Sequence, residues 1–251
     1  MKRQKAKSKN SPVVIGVIPA RYGSTRLPAK ALALIHGKPM IQHVYERCLK
    51  AKLLSEVLVA TDDRRIFDAV INFGGNAAMT SKSHTSGTDR IGEAVRNIKC
   101  DIVVNIQGDE PMIAPGNIDK AIKPLISDKS INVSSLCYKI SHYKEINNPN
   151  VVKVVMDSNS NALYFSRSVI PFNRDNSSTD HNKHIGLYVY RKDYLMKLIK
   201  MKPSRLELTE KLEQLRILES GENIRIIKTN TDSHSVDTLN DLKKIRRLIK
   251  L

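Results

Sequence analysis

Three cations, Arg21, Arg26 and Lys30, surround a Gly23-Ser24-Thr25 turn that follows directly on the apolar run Val13, Val14, Ile15 and Val17. A buried strand therefore delivers fixed positive charge and a small-residue turn to one mouth. Exposed backbone N–H groups beside guanidinium and ammonium groups suit a triphosphate. A basic surface loop after a strand would have the same composition. The segment holds no Cys or His, which argues against a metal there, and it lacks both G-x-x-x-x-G-K-[ST] and G-x-G-x-x-G.

Two aspartates are candidates for the opposite charge. Asp109 follows the apolar stretch Ile102–Ile106 and Gly108, a place that suits Mg²⁺ shared between protein carboxylates and phosphate oxygens. Strand-end aspartates also cap helices, and Asp237, in Ser235-Val236-Asp237-Thr238-Leu239, stands where an N-cap belongs. If the two carboxylates converged on one ion, the site would suit phosphoryl or nucleotidyl transfer. Ser86-Gly87-Thr88-Asp89-Arg90 is a small-residue turn opening a helix; it can cap that helix and also offer N–H and hydroxyl groups to a base or ribose. Arg167, after Tyr164-Phe165-Ser166, has the fork for a substrate carboxylate. His184 precedes Ile185-Gly186-Leu187-Tyr188, and a lone histidine is often structural. Glu213 and Gln214 interrupt an apolar helical pattern and suit either a polyol or solvent.

These residues need elements to hold them. Strand-like and helix-like segments alternate from Val13 onward, which predicts a mostly parallel sheet covered by helices. Strands are expected at 13–18, 56–60, 76–79 and 102–106, with helices at 39–52, 65–73 and 88–99 between them. Arg21, Asp62 and Asp109 then fall past strand carboxyl ends, where open α/β sheets place ligands. The second half is less regular: strands at 132–140, 151–156, 162–166, 185–190 and 224–228, helices at 193–201 and 239–251, and one long helix over 206–220. Residues 173–182 read as a mobile loop.

The chain of 251 residues carries a formal charge of +17, which invites a nucleic-acid reading. Its distribution weakens that reading. Lys2, Arg3, Lys5, Lys7 and Lys9 crowd the first ten residues, and Lys243, Lys244, Arg246, Arg247 and Lys250 decorate the last helix. With four Phe and no Trp, a stacking platform for single strands is not expected. No apolar run is long enough to cross a bilayer, and the three scattered cysteines suggest neither zinc nor a disulfide framework. The expectation is a cytoplasmic protein with a disordered basic arm at 1–12 and one domain at 13–251.

Taken together, the motifs resemble one family closely, the 3-deoxy-manno-octulosonate (Kdo) cytidylyltransferases. The matching stretches include I-P-A-R-Y-G-S-T-R-L-P-A-K, S-G-T-D-R-I-G-E-A-V, V-N-I-Q-G-D-E-P-M-I, Y-F-S-R-S-V-I-P, H-I-G-L-Y-V-Y-R, L-E-Q-L-R-I-L and V-D-T-L-N-D-L, in family order from Val13 to Arg246. The resemblance implies one Rossmann-like nucleotidyltransferase domain, a mixed, mostly parallel sheet flanked by helices, with a dimerisation and sugar-binding excursion. It implies a homodimer that transfers CMP from CTP to Kdo and releases pyrophosphate, for lipopolysaccharide assembly. By the same resemblance Arg21 and Lys30 hold the CTP phosphates, Ala20 and Ser24 are nucleotide-binding with them, Ser86 and Thr88 lie near the nucleoside, and Gln107 lines the pocket. Asp109 and Asp237 are implied Mg²⁺ ligands, catalytic together with Arg21 and Lys30. Arg167, His184, Tyr188, Glu213 and Gln214 are implied to surround the sugar.

Three positions depart from the family pattern. Ala29 stands where Gly is usual, Leu239-Asn240 replaces Pro-Glu after Asp237-Thr238, and Asn173 replaces an Asp. None removes a proposed catalytic group. The alternatives are a cytidylyltransferase for another acid sugar such as a sialic acid, and a non-catalytic nucleotide or polyanion binder.

Overall fold

The computed structural model describes residues 11–23, 27–175 and 179–249. The basic residues 2–9, Ser24, Thr25, Arg26 and Lys250 lie outside them, and so do the readings made for them.

The chain opens with strand β1 (Val14–Ala20), a tiny hairpin of β2 (Leu34–Ile35) and β3 (Lys38–Pro39), and helix α1 (Met40–Cys48). Strand β4 (Glu56–Thr61), α2 (Arg64–Asn72), β5 (Ala77–Met79), α3 (Gly87–Val95) and β6 (Ile102–Asn105) complete a regular α/β half. Then come α4 (Pro115–Ser127), β7 (Val133–Lys139), α5 (Tyr143–Ile146), β8 (Lys153–Met156), β9 (Ala162–Ser166) and β10 (Asn182–Arg191). The chain closes with α6 (Lys192–Leu198), α7 (Arg205–Glu210), α8 (Leu215–Glu219), β11 (Ile224–Thr229) and α9 (Leu239–Leu248).

One mixed sheet runs in the order β11-β7-β10-β6-β1-β4-β5, with the β8–β9 hairpin attached to β10. Strands β5, β4, β1 and β6 are parallel, and β10 runs against both β6 and β7. Strands β1 and β6 are apolar on both faces because helices cover both. On β1, Val14 and Ile18 pack with α1, α2 and α4, while Ile15 and Val17 pack with α3, α6 and α8. Chain order reverses at β1, with β4 on one side and β6 on the other. That reversal opens a crevice beyond the strands' carboxyl ends, as in other open α/β sheets.

The prediction of one long helix at 206–220 is corrected. α7 ends with a left-handed Lys211 (φ 54°), and α8 begins only at Leu215. The apolar spacing of Leu212, Leu215 and Ile217 continues through the break because all three still bury. The resulting elbow carries Glu213 and Gln214. Asn182, read as the end of a loop, is the first residue of β10. Helix α4 went unread in the sequence, although Ile118, Ala121, Ile122 and Leu125 all face the core.

Candidate active site

The crevice is a cavity of about 330 Å³. Pro19, Ala20 and Arg21 form one wall and Gln107, Gly108 and Asp109 another, with Ser86 and Gly87 at the start of α3. Lys30 and Asp237 close the mouth. Gly108 permits this: a Cβ there would lie 2.9 Å from the Pro19 carbonyl oxygen, so a larger residue would push the β6 loop off the end of β1.

Asp109 and Asp237 do converge. Lys30 Nζ donates to Asp109 Oδ2 at 2.5 Å and to Asp237 Oδ1 at 3.2 Å, so one ammonium bridges two carboxylates far apart in the chain. The capping alternatives are resolved at both positions. Thr238, not Asp237, is the N-cap of α9, in a reciprocal box with Asp241. The N-cap of α4 is Ala114, five residues beyond Asp109. The box also explains why losing the usual Pro-Glu is tolerated, since Asp241 supplies the third-position carboxylate. The loop before α9 is held to the β6 loop by the Val236 N–H, which donates to the Asp109 carbonyl at 2.9 Å. Ser233 Oγ donates to the buried Glu110 carboxylate, whose pKa burial pushes up to about 7.

Ala29, beside Lys30, has φ 54° and ψ 30°. This is the left-handed region that glycine enters without strain. Its N–H donates to the Tyr22 carbonyl at 3.2 Å, which closes the loop and aims Lys30 at the carboxylates.

At the far wall Ser86 caps α3, its hydroxyl accepting from the Asp89 N–H at 3.1 Å. Ser86 and Gly87 line the cavity, so the start of α3 borders it, an arrangement that favours an anionic or hydrogen-bond-accepting ligand. Arg90, the last residue of the S-G-T-D-R motif, is a site residue that the sequence pattern does not single out. It is buried, donates to Thr80 at 2.6 Å and Asp62 at 2.7 Å, and lines the cavity floor. Asp62 thus belongs to the site through Arg90. His84 also lines the cavity and is paired with Glu93. Only the S-G-T-D-R cluster next to it hinted at such a role.

The residues expected around the sugar form a second, adjoining group. Gln107 Nε2 donates to the Gly186 carbonyl at 3.0 Å, at the point where the register of β10 against β7 shifts. That irregularity brings His184 and Tyr188 together, with ring centroids 5.2 Å apart. His184 Nε2 lies 2.8 Å from Ser135 Oγ, its ring edge-on to Phe165. Burial drives the His184 pKa down to about 3, so the ring is neutral. Thr88 Oγ1 donates to Glu213 Oε2 at 3.0 Å, and burial raises the Glu213 pKa. Gln214 is buried at the start of α8. Arg167 is differently occupied: its guanidinium donates to the carbonyls of Glu210 at 2.7 Å, Pro149 at 3.0 Å and Lys211 at 3.4 Å. In this arrangement it braces the elbow rather than facing the cavity.

Comparison with known proteins agrees with the geometry. A family model described as cytidylyltransferase matches residues 15–224. The 3-deoxy-manno-octulosonate cytidylyltransferase of Geobacter metallireducens is 53% identical over 243 residues, covering 92% of this chain and 96% of that one. Its counterpart from Geobacter sulfurreducens is 52% identical over 248 residues, covering 94% and 99%. Among solved structures, a CMP:2-keto-3-deoxy-manno-octonic acid synthetase complexed with CTP superposes with a TM-score of 0.91 at 46% identity, covering 94% of this chain and 98% of that one. A 4-diphosphocytidyl-2C-methyl-D-erythritol synthase from Anaerococcus prevotii, at TM-score 0.62 and 12% identity, shares the fold alone. With half its residues shared across nearly the whole length of such proteins, the chain belongs to the 3-deoxy-manno-octulosonate cytidylyltransferase family.

Proposed function

We infer that the crevice catalyses the family's reaction: the anomeric C2 hydroxyl of Kdo attacks the α-phosphorus of CTP in line, forming CMP-Kdo and releasing pyrophosphate. The observation that carries this reading is the Lys30 ammonium held between Asp109 and Asp237 in the lining of the crevice.

Two carboxylates sharing one positive group are a donor set that suits Mg²⁺, and the Lys30 ammonium stands in for such an ion. Asp109 and Asp237 would hold it. When bound, the ion supplies charge neutralisation at the α-phosphate and a lowered pKa for the attacking hydroxyl. The chain's own groups bind and orient. The α3 N-terminus with Ser86 and Gly87 receives the nucleotide, and Arg21 and Lys30 neutralise the leaving pyrophosphate. Gln107 fixes the wall between nucleotide and sugar, while Tyr188, neutral His184 and Glu213 present hydrogen-bonding groups to the polyol. No protein nucleophile is required, and rate enhancement comes from positioning and charge.

We further propose that the protein acts as a cytoplasmic homodimer through the region of β8 and β9, where Leu163 and Phe172 are 61% and 84% exposed. No helix among the described residues is long and apolar enough to cross a membrane. Light scattering on the purified protein tests the dimer.

The deciding experiment is pyrophosphate release from CTP and Mg²⁺ with a panel of acid sugars. Release with Kdo and not with a sialic acid is expected. CTP binding without release for any sugar would overturn the reading.

A further inference from the structure

We propose that Lys30 is the resident counter-ion of the Asp109–Asp237 pair, held there until a divalent cation displaces it towards the nucleotide phosphates; this rests on the metal reading above. Two carboxylates aimed at one point repel each other. The fold tolerates that arrangement because one ammonium lies 2.5 Å from an oxygen of the first and 3.2 Å from an oxygen of the second. All three groups are partly withdrawn from water, with side-chain exposures of 18% for Lys30, 25% for Asp109 and 35% for Asp237. The pairing is therefore stronger than an exposed one.

Lysine fits this part better than arginine. It is a point charge on a flexible four-carbon stem and can change partners without rebuilding a planar fork. Its backbone is fixed at the short 3-10 turn Lys30–Leu32, behind the left-handed Ala29, so only the stem need move. Among the described residues, these two carboxylates and one ammonium leave a net charge of −1. An incoming divalent cation neutralises both carboxylates by itself and leaves the ammonium without a counter-charge. The nucleotide phosphates, bound in the same cavity, offer one. Metal and CTP thus assist each other's binding, because each removes the other's competitor.

The test is a titration of the full-length protein with Mn²⁺ alone, read from the electron paramagnetic resonance of unbound Mn²⁺. Lys30→Met should tighten Mn²⁺ about tenfold, the weight of one charge-assisted contact. Arg21→Met removes an equal charge from the same cavity and should change affinity by less than about threefold, the screened long-range effect. Equal affinity for wild type and Lys30→Met, or an equal gain in both variants, would overturn the proposal. Pulsed acetylation of the wild-type protein, read by mass spectrometry, needs no variant to fold. Saturating Mn²⁺ should speed labelling of Lys30 relative to Lys38, and unchanged labelling overturns the proposal. If Mn²⁺ binding is abolished by Asp109→Asn yet indifferent to Lys30, the metal reading stands and this proposal alone falls. If no Asp109-dependent binding is seen, both fall.

Discussion

Thr88 and Glu213 are 125 residues apart in the chain, yet the Thr88 hydroxyl donates to the Glu213 carboxylate at 3.0 Å. This bond joins the first turn of α3, whose start lines the cavity proposed for the nucleotide, to the elbow between α7 and α8. Glu213 also borders Tyr188 and Tyr190, whose hydroxyl pKa values are raised mainly by burial and further by its charge. The group proposed for the sugar is thereby tied to the cavity proposed for the nucleotide. Replacing Thr88 with Val keeps the shape but removes one of the two hydroxyls, Thr88 and Ser86, that hydrogen-bond the Glu213 carboxylate, a loss of about 1–3 kcal/mol. The expected outcome is a KM for Kdo raised about tenfold, with the calorimetric affinity for CTP changed much less. Equal losses for both substrates would contradict the assignment.

Ala29 offers a prediction in the opposite direction. At φ 54° its Cβ crowds the backbone, at a cost of about 1–2 kcal/mol. Glycine removes that strain but enlarges the unfolded ensemble, which returns about 0.5–1 kcal/mol. Ala29→Gly should therefore stabilise the protein slightly, raising Tm by about 2 °C in a calorimetric scan. A fall in Tm would mean that the left-handed conformation does not persist at this position.

Which of these features the sequence made visible follows from what each depends on. Strands β1, β4 and β6 were legible because burial on both faces forces a continuous apolar run, and Arg21, Asp62 and Asp109 were placed correctly because they follow such runs. The convergence of Asp109 with Asp237 required the family resemblance, since no local pattern links residues 128 positions apart. The α7–α8 break was illegible: Lys211 adopts φ 54° with no glycine to mark it, while Leu212, Leu215 and Ile217 keep the spacing of an unbroken helix. The cap of α9 was misplaced by one residue: Asp237 has the right residue type for an N-cap, but Thr238 takes that position. Arg90 was hidden for a different reason, as its role depends on Asp62 and Thr80 arriving from β4 and the end of β5.

His184 makes the stability depend on pH in a direction that can be worked out. Burial lowers its folded-state pKa from 6.5 to about 3, so between those values the unfolded chain binds the extra proton. The stabilisation from keeping the ring neutral is complete above pH 6.5 and declines as pH falls towards 3. Wild-type stability should drop relative to His184→Gln across that window, with a slope of at most about 1.4 kcal/mol per pH unit. Denaturant titrations at a series of pH values measure it. Parallel curves for the two proteins would show that the ring is not buried as described.

Asp109 separates chemistry from binding. Its carboxylate touches Lys30, and its carbonyl accepts from Val236, so truncating the side chain leaves the backbone tie to the Asp237 loop intact. The proposed nucleotide contacts, from Ser86 and Gly87 at the start of α3, from Gln107 and from Arg21, do not involve this side chain. What is lost is one of the two carboxylates proposed to hold the ion at the reacting α-phosphate, and removing a group that stabilises charge developing there typically costs about 10²–10³ in turnover. Asp109→Ala should therefore lower kcat by at least that factor, while CTP affinity measured without metal stays within about threefold of wild type. Lys30, released from its first carboxylate, would then rest on Asp237 alone, and Asp237→Ala should have the same signature through the other half of the pair. Near-normal turnover in either variant would refute the shared-cation mechanism, because neither carboxylate by itself brings distant parts of the chain to one charge.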